Sequence, residues 1–336
     1  MVLLALALTL YFALGLEDLR ALPEILASAS KVYVLMGLLT MVAFFLCQAL
    51  VVKKLLCSLG YQVSLKATYK YSLIDYFFSQ ISPGASAGQP SEIYFMKKDG
   101  IAIGDSSLVM LIFNGFYHLA VVLVVLGTSL GKIDKILGPS PVFYRLFVFG
   151  ILVQVLLSVV FFFFIFSKSL VYKVFKFIFK VLEFFSYKNL DHFKARVSKI
   201  LRDYKTGAAW IKDHKLALAK VFPLVILHIF LYYSLGYWVL KALGSQSLSL
   251  VDMVAYQGVF TMTFESLPLP GGLGLAEAGF LKIFSPLYGK NLLPAALLLT
   301  RGLSYLVFVI LGGLLTALGK LDPVQKIDQK NKDKKD

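Results

Sequence analysis

Five charged residues stand beside breaks in apolar stretches or inside one, and they are the side chains that could do chemistry. Asp75 and Glu92 flank one break, Glu265 and Glu277 flank another, and Arg301 lies within a long apolar stretch. If these stretches lie in a membrane, each ionisable side chain costs about 2.5–3.5 kcal/mol on insertion scales, so it needs a partner or a role. Carboxylates can hold a cationic group or a proton, and the planar guanidinium suits a carboxylate or a phosphate.

Each candidate also has a structural interpretation. Glu92 could lie at the cytoplasmic interface beside Lys97, and Asp75 could cap a helix. Glu277 could begin a helix, where its charge suits the helix dipole. Arg301 has the strongest functional case, because no other charge lies within its stretch.

No catalytic or metal-binding motif accompanies these residues. The sequence has no nucleophile–base pair at local spacing, and the glycines at 271–274 lack the Lys-Ser/Thr of a phosphate loop. Cys47 and Cys57 have no partners at metal-ligand spacing. We therefore predict no catalytic residue, no metal and no cofactor.

The elements that must position the candidates are membrane helices. Of the 336 residues, 58% are hydrophobic and only 16% are charged, against about 25% charged residues in soluble domains. Several apolar runs exceed the roughly 20 residues that cross a bilayer. We predict six full spans, at residues 2–16, 31–52, 104–130, 142–167, 221–243 and 292–318.

The net charge of +15 is concentrated between these spans. Basic residues gather at 53–70, at 168–220 and after 318, which predicts that these regions and both termini are cytoplasmic in a multi-pass membrane protein. The 168–220 loop reads as basic amphipathic helices on the membrane surface, which either fix the orientation or bind anionic lipid. Nucleic-acid binding is not expected.

Two segments are broken too early to be simple spans. The first, at 71–96, has basic residues at both ends and breaks at Pro83 and Gly84. Its apolar part, at 71–81, would be only about 16 Å long as a helix. The second, at 250–288, breaks in a proline- and glycine-rich stretch that contains Pro268, Pro270, Gly271, Gly272 and Gly274.

These patterns predict an all-α polytopic membrane protein with six full spans and two re-entrant helical hairpins. Each half reads span, span, hairpin, span, with the hairpins entering from opposite sides, as in inverted-repeat transporters. Eight plain kinked helices are the alternative. We predict one integral membrane domain at 1–320, with halves at 1–130 and 142–320, followed by a charged cytoplasmic tail at 321–336.

The break motifs resemble a known family. The stretch ISPGASAGQPSEIYFMKKDG at 81–100, the stretch LPLPGGLGLAE at 267–277, and Thr300-Arg301 followed by Ser304-Tyr305 are similar to motifs of the lysylphosphatidylglycerol synthase transmembrane family. Ala87 departs from the glycine that many relatives show. The resemblance extends a functional role to positions that match its motifs: Asp75, Gln89, Pro90, Glu92, Glu277 and Arg301.

This resemblance implies a flippase-like protein of the bacterial cell membrane that moves a phospholipid such as aminoacylated phosphatidylglycerol. The expected partners are a membrane phospholipid and a separate lipid-modifying enzyme, and an oligomer is a further possibility. The sequence shows no synthase domain after the last span, so translocation is the expected activity. Two alternatives stay open. One is a phosphatidylglycerol lysyltransferase that confers resistance to cationic peptides, and the other is a non-catalytic membrane partner of a lipid-modifying enzyme.

Overall fold

The computed structural model describes residues 22–82, 85–167, 215–245, 248–265, 275–319 and 324–326, with scattered positions between 173 and 209. The predicted span at 2–16 and all seven predicted break residues lie outside the described residues, as does most of the basic loop. The described chain is almost entirely helical.

Most of the described elements are long helices. The elements in chain order are α1 (Leu22–Ser28), α2 (Lys31–Ser58), β1 (Tyr61–Gln62), α3 (Leu65–Ile81), α4 (Gly88–Lys98), α5 (Ile103–Ser129), α6 (Ile133–Leu137), α7 (Pro141–Phe166), α8 (Lys215–Ala242), α9 (Leu250–Phe260), a π-helix (Thr261–Glu265), α10 (Leu275–Arg301), a second π-helix (Gly302–Leu306), α11 (Val307–Leu318) and β2 (Gln325–Lys326).

Five segments in the described part of the chain are long and apolar enough to cross a membrane, which confirms the all-α polytopic class. They are Lys31–Ser58, Ile103–Ser129, Pro141–Ile165, Leu218–Ala242 and Asn291–Leu318. Each overlaps a span predicted from the sequence. The last is one apolar stretch that runs through the end of α10, the second π-helix and α11.

The first broken segment is a hairpin whose two arms pack together. Helix α3 begins at its N-cap Ser64, whose hydroxyl accepts from the Ala67 amide at 3.1 Å. Helix α4 has 11 residues, or about 16 Å, too short to cross the bilayer. The base is closed by Lys70 Nζ and Asp99 Oδ2, which are 3.0 Å apart. Both ends of the hairpin therefore lie at one side of the protein.

The second broken segment also begins with a capped helix. Ser249 caps α9 by accepting from the Asp252 amide, and Lys132, between α5 and α6, places its Nζ 2.6 Å from Asp252 Oδ1. The aromatic rings of Phe260 and Phe284 join α9 to the first part of α10, their centroids 5.7 Å apart. Helix α10 then breaks at Gly289, which has φ +66°, a conformation that glycine adopts at little cost.

The helices of the two halves pack reciprocally. Helices α2 and α8 lie along each other, α3 of the first hairpin packs on α11 of the last span, and α9 of the second hairpin packs on α5. The contact of α3 with α11 is close because Gly312 has no side chain, and a Cβ there would lie 2.5 Å from the Leu73 carbonyl oxygen. This exchange of partners supports the inverted repeat.

The ion pairs beside the two hairpins should differ in how much stability is lost when each is broken. Asp99→Asn removes a carboxylate side chain that is 1% exposed from a lysine that is 11% exposed, so we expect a loss of about 3 kcal/mol in the free energy of unfolding. Asp252→Asn breaks a pair whose side chains are 38% and 32% exposed and should cost less than about 1 kcal/mol. Unfolding of the purified variants in detergent measures both, and equal losses would contradict the comparison.

The smaller loss should also depend on pH. Hydrogen bonds from Lys132 and Ser249 hold the pKa of Asp252 below its ordinary value of 3.8. A carboxyl group whose pKa is lowered by folding adds stability above its unfolded pKa and loses it as the pH falls through the folded value. The difference between the parent and Asp252→Asn should therefore vanish at strongly acidic pH.

Candidate functional site

The first hairpin brings two of the predicted residues together. Asp75 lies on α3 and Glu92 on α4, and the two carboxyl groups are close enough to interact electrostatically. Gln89 and Pro90 lie in the first turn of α4, where proline is tolerated because its missing amide has no helical acceptor. The hairpin thus brings four of the predicted site residues onto its two facing arms.

A glycine sets the distance between the arms. A Cβ atom at Gly88 would lie 1.9 Å from Ser79 Oγ and 2.5 Å from Asp75 Oδ1. The first turn of α4 therefore approaches the Asp75 carboxylate more closely than any side chain would allow. The amide groups at a helix N-terminus favour negative charge, so this approach stabilises the carboxylate.

Asp75 also has two side-chain hydrogen-bond partners. Gln48 Nε2, on α2, donates to Asp75 Oδ2 at 3.3 Å, and Ser79 bonds to the same carboxyl group from its own helix. Gln48 is 4% exposed and was not among the residues predicted from the sequence. The sequence feature that could have identified Gln48 is an amide side chain within an apolar span, because such a group is costly to bury without a partner.

Glu92 is in a different situation. It is 0% exposed, and neither of its carboxyl oxygens has a hydrogen-bond partner among the described residues. Glu92 thus faces the protein interior, whereas Lys97, about one and a half turns further along α4, is exposed. An ionised carboxylate in such a place is costly unless a donor or a cation compensates its charge.

The last span meets the first hairpin next to Asp75. Tyr76 donates from its hydroxyl to the Ser304 carbonyl at 2.8 Å. Ser304 lies in the second π-helix, which begins directly after Arg301, the last residue of α10. Single-turn π-helices occur often at functional sites, and this one was not predicted. Arg301 interacts electrostatically with Tyr305 of this π-helix. The hydrogen bond from Tyr76 joins the segment that contains Arg301 to the acidic hairpin.

The remaining predicted residues are only partly accounted for. Glu265 ends the first π-helix and Glu277 lies in the first turn of α10, but their side chains are outside the described set. The backbone around them is close-packed, since a Cβ at Gly150 of α7 would lie 2.0 Å from the Met262 carbonyl oxygen. Their part in the site stays a prediction.

The fold and this acidic hairpin define a polytopic membrane protein with polar groups held inside the membrane domain. A family model described as the lysylphosphatidylglycerol synthase TM region matches residues 1–312, and the chain belongs to that family. The family name connects the chain with lysylphosphatidylglycerol handling in a membrane.

A relative from the archaeon Archaeoglobus fulgidus, named a UPF0104 membrane protein, is 22% identical over 298 residues. The alignment covers 87% of this chain and 88% of the relative. No solved structure matches. The family resemblance drawn from the break motifs is confirmed.

The close approach at Gly88 gives a stability prediction. Gly88→Ala adds a methyl group that must displace Ser79 or Asp75, and such overpacking costs about 1–3 kcal/mol. Gly127→Ala is the matched control, because nothing lies within 4 Å of the added Cβ and alanine favours a helix over glycine. Thermal unfolding should show a loss for the first variant and no loss for the second. A fully stable Gly88→Ala protein would show that the arms are farther apart.

Proposed function

We propose that this protein is a membrane lipid translocase that carries a phospholipid headgroup between the two leaflets, with an aminoacylated phosphatidylglycerol as the substrate class. The observation that carries the proposal is the pair Asp75 and Glu92, a set of acidic groups inside the membrane domain with an unpartnered member among the described residues. A cationic amino group is the natural complement of two carboxyl groups.

The headgroup of such a lipid carries both signs of charge. One of its amino groups would bind between Asp75 and Glu92, and its phosphate would bind to Arg301 on the last span, whose planar guanidinium suits a phosphate. The hydrogen bond from Tyr76 to Ser304 connects the two elements that would hold the two parts of the headgroup. The remainder of the path that the headgroup takes through the protein would be lined by Glu265, Glu277, Gln89 and Pro90.

The reciprocal packing of the halves offers a route for alternating exposure. In inverted-repeat transporters one repeat moves against the other around a central site. We propose cytoplasmic N- and C-termini in the cell membrane, because the basic segments lie between the spans. β1 and β2 pair, Tyr61 opposite Lys326, so the start of the first hairpin and the C-terminal tail share one side.

The basic 168–220 loop suits a contact with anionic lipid or with a separate lipid-modifying enzyme. Such an enzyme would supply the substrate at the cytoplasmic side. The loop's role is a proposal that follows from its charge.

Translocation in proteoliposomes tests the proposal. Asp75→Asn and Arg301→Ala should each slow the movement of a fluorescent lysylphosphatidylglycerol at least tenfold, because each removes one charge that binds the headgroup. Arg301→Lys should rescue only in part, since a point charge cannot make the bidentate contact. Arg145→Ala is the matched control, an exposed arginine near the start of α7, and should move lipid at the parental rate.

Two results would contradict the proposal. One is parental transport by Asp75→Asn and Arg301→Ala, which would make both residues structural. The other is formation of aminoacyl lipid from phosphatidylglycerol and charged tRNA by the purified chain without any lipid movement, which would favour a transferase.

A further inference from the structure

The carboxyl pair in the first hairpin has an asymmetry that bears on how transport is driven. Asp75 has donors in Gln48 and Ser79 and the start of α4 beside it. Glu92, on the facing arm, is completely buried and has no donor in the described part of the chain. One carboxyl group is thus equipped to carry a charge and its neighbour is not.

Among the described residues, no cation bonds to either carboxyl oxygen of Glu92. Lys70 on α3 pairs with Asp99, and Lys97 and Lys98 on α4 are exposed. The acid Asp105 on α5 accepts from Tyr61 at 2.7 Å. Helix α2 presents the neutral Gln48 to the pair, and α11 packs on α3 through Gly312 and Gly313, which carry no charge. Arg301, on the last span, interacts with Tyr305.

We propose that Asp75 and Glu92 together hold one proton when no headgroup is bound and release it when a cationic headgroup enters, so that lipid movement is coupled to proton movement. This inference rests on the proposed function. In the empty site Glu92 is a neutral acid beside the Asp75 anion.

The exchange keeps the charge of the site constant. The empty pair, with one proton, carries a net charge of −1. When an ammonium group binds, the O–H bond of Glu92 breaks, its electron pair stays on the carboxylate, and the proton passes to water. Two carboxylates and one ammonium again sum to −1. An apolar site tolerates this exchange better than it tolerates a change of net charge.

Infrared spectroscopy of the full-length protein tests the protonation directly. The parent chain, labelled with ¹³C so that its carbonyl bands separate from those of the lipid, is placed in phosphatidylglycerol nanodiscs at neutral pH. We expect a carboxylic-acid band that Glu92→Gln removes. Glu183→Gln should leave the band unchanged, because Glu183 is 52% exposed and paired with Lys194.

Adding lysylphosphatidylglycerol to the nanodiscs should then reduce the band and release about one proton per chain, as expected for one site. More phosphatidylglycerol alone should do neither. Absence of a band that depends on Glu92 would overturn the inference whether or not lipid moves. A band that the cationic lipid leaves unchanged while lipid still moves would overturn the coupling and leave the translocase standing. An unchanged band with no lipid movement would overturn both.

Discussion

A carboxyl group that leaves water needs a hydrogen-bond donor, a cation or a proton, and this requirement governs the first hairpin. Gln48, Ser79 and the first turn of α4 supply it for Asp75, and Gly88 allows that turn to come within reach. Glu92 receives none of these from the described residues. Because the burial of Glu92 is not compensated by these groups, other contacts must stabilise the hairpin. These are the buried Lys70–Asp99 pair and the packing of α3 on α11.

The same contacts join the acidic hairpin to the rest of the membrane domain. Tyr76 bonds to the π-helix that follows Arg301. A shift of the last span would therefore displace Tyr76, which is adjacent to Asp75 in the chain. The second hairpin packs on α5, as the first packs on α11. Each half of the protein thus supports the broken segment of the other, and a relative movement of the halves would alter both hairpins together.

The helical class and the approximate positions of the five described spans could be predicted from the long apolar runs. The first hairpin could be predicted because Pro83, Gly84 and the flanking lysines are local signals. The sequence did not predict Gln48, the close approach at Gly88 or the two π-helices, because these depend on which helix packs against which. For the same reason the sequence left two positions open for Glu92, one beside the exposed Lys97 and one in a site, and only the packing of α4 shows that the side chain is buried.

Photo-crosslinking most directly tests whether a lipid headgroup enters this hairpin. A lysylphosphatidylglycerol with a photoactivatable group on its headgroup would be placed in proteoliposomes with the parent chain, illuminated, and the adducts mapped by mass spectrometry. If the headgroup enters the hairpin, adducts should form on α3 and α4 between Asp75 and Glu92, and excess unlabelled lipid should prevent them. Adducts confined to the exposed apolar face of α7, at Leu152 and Leu156, would contradict it.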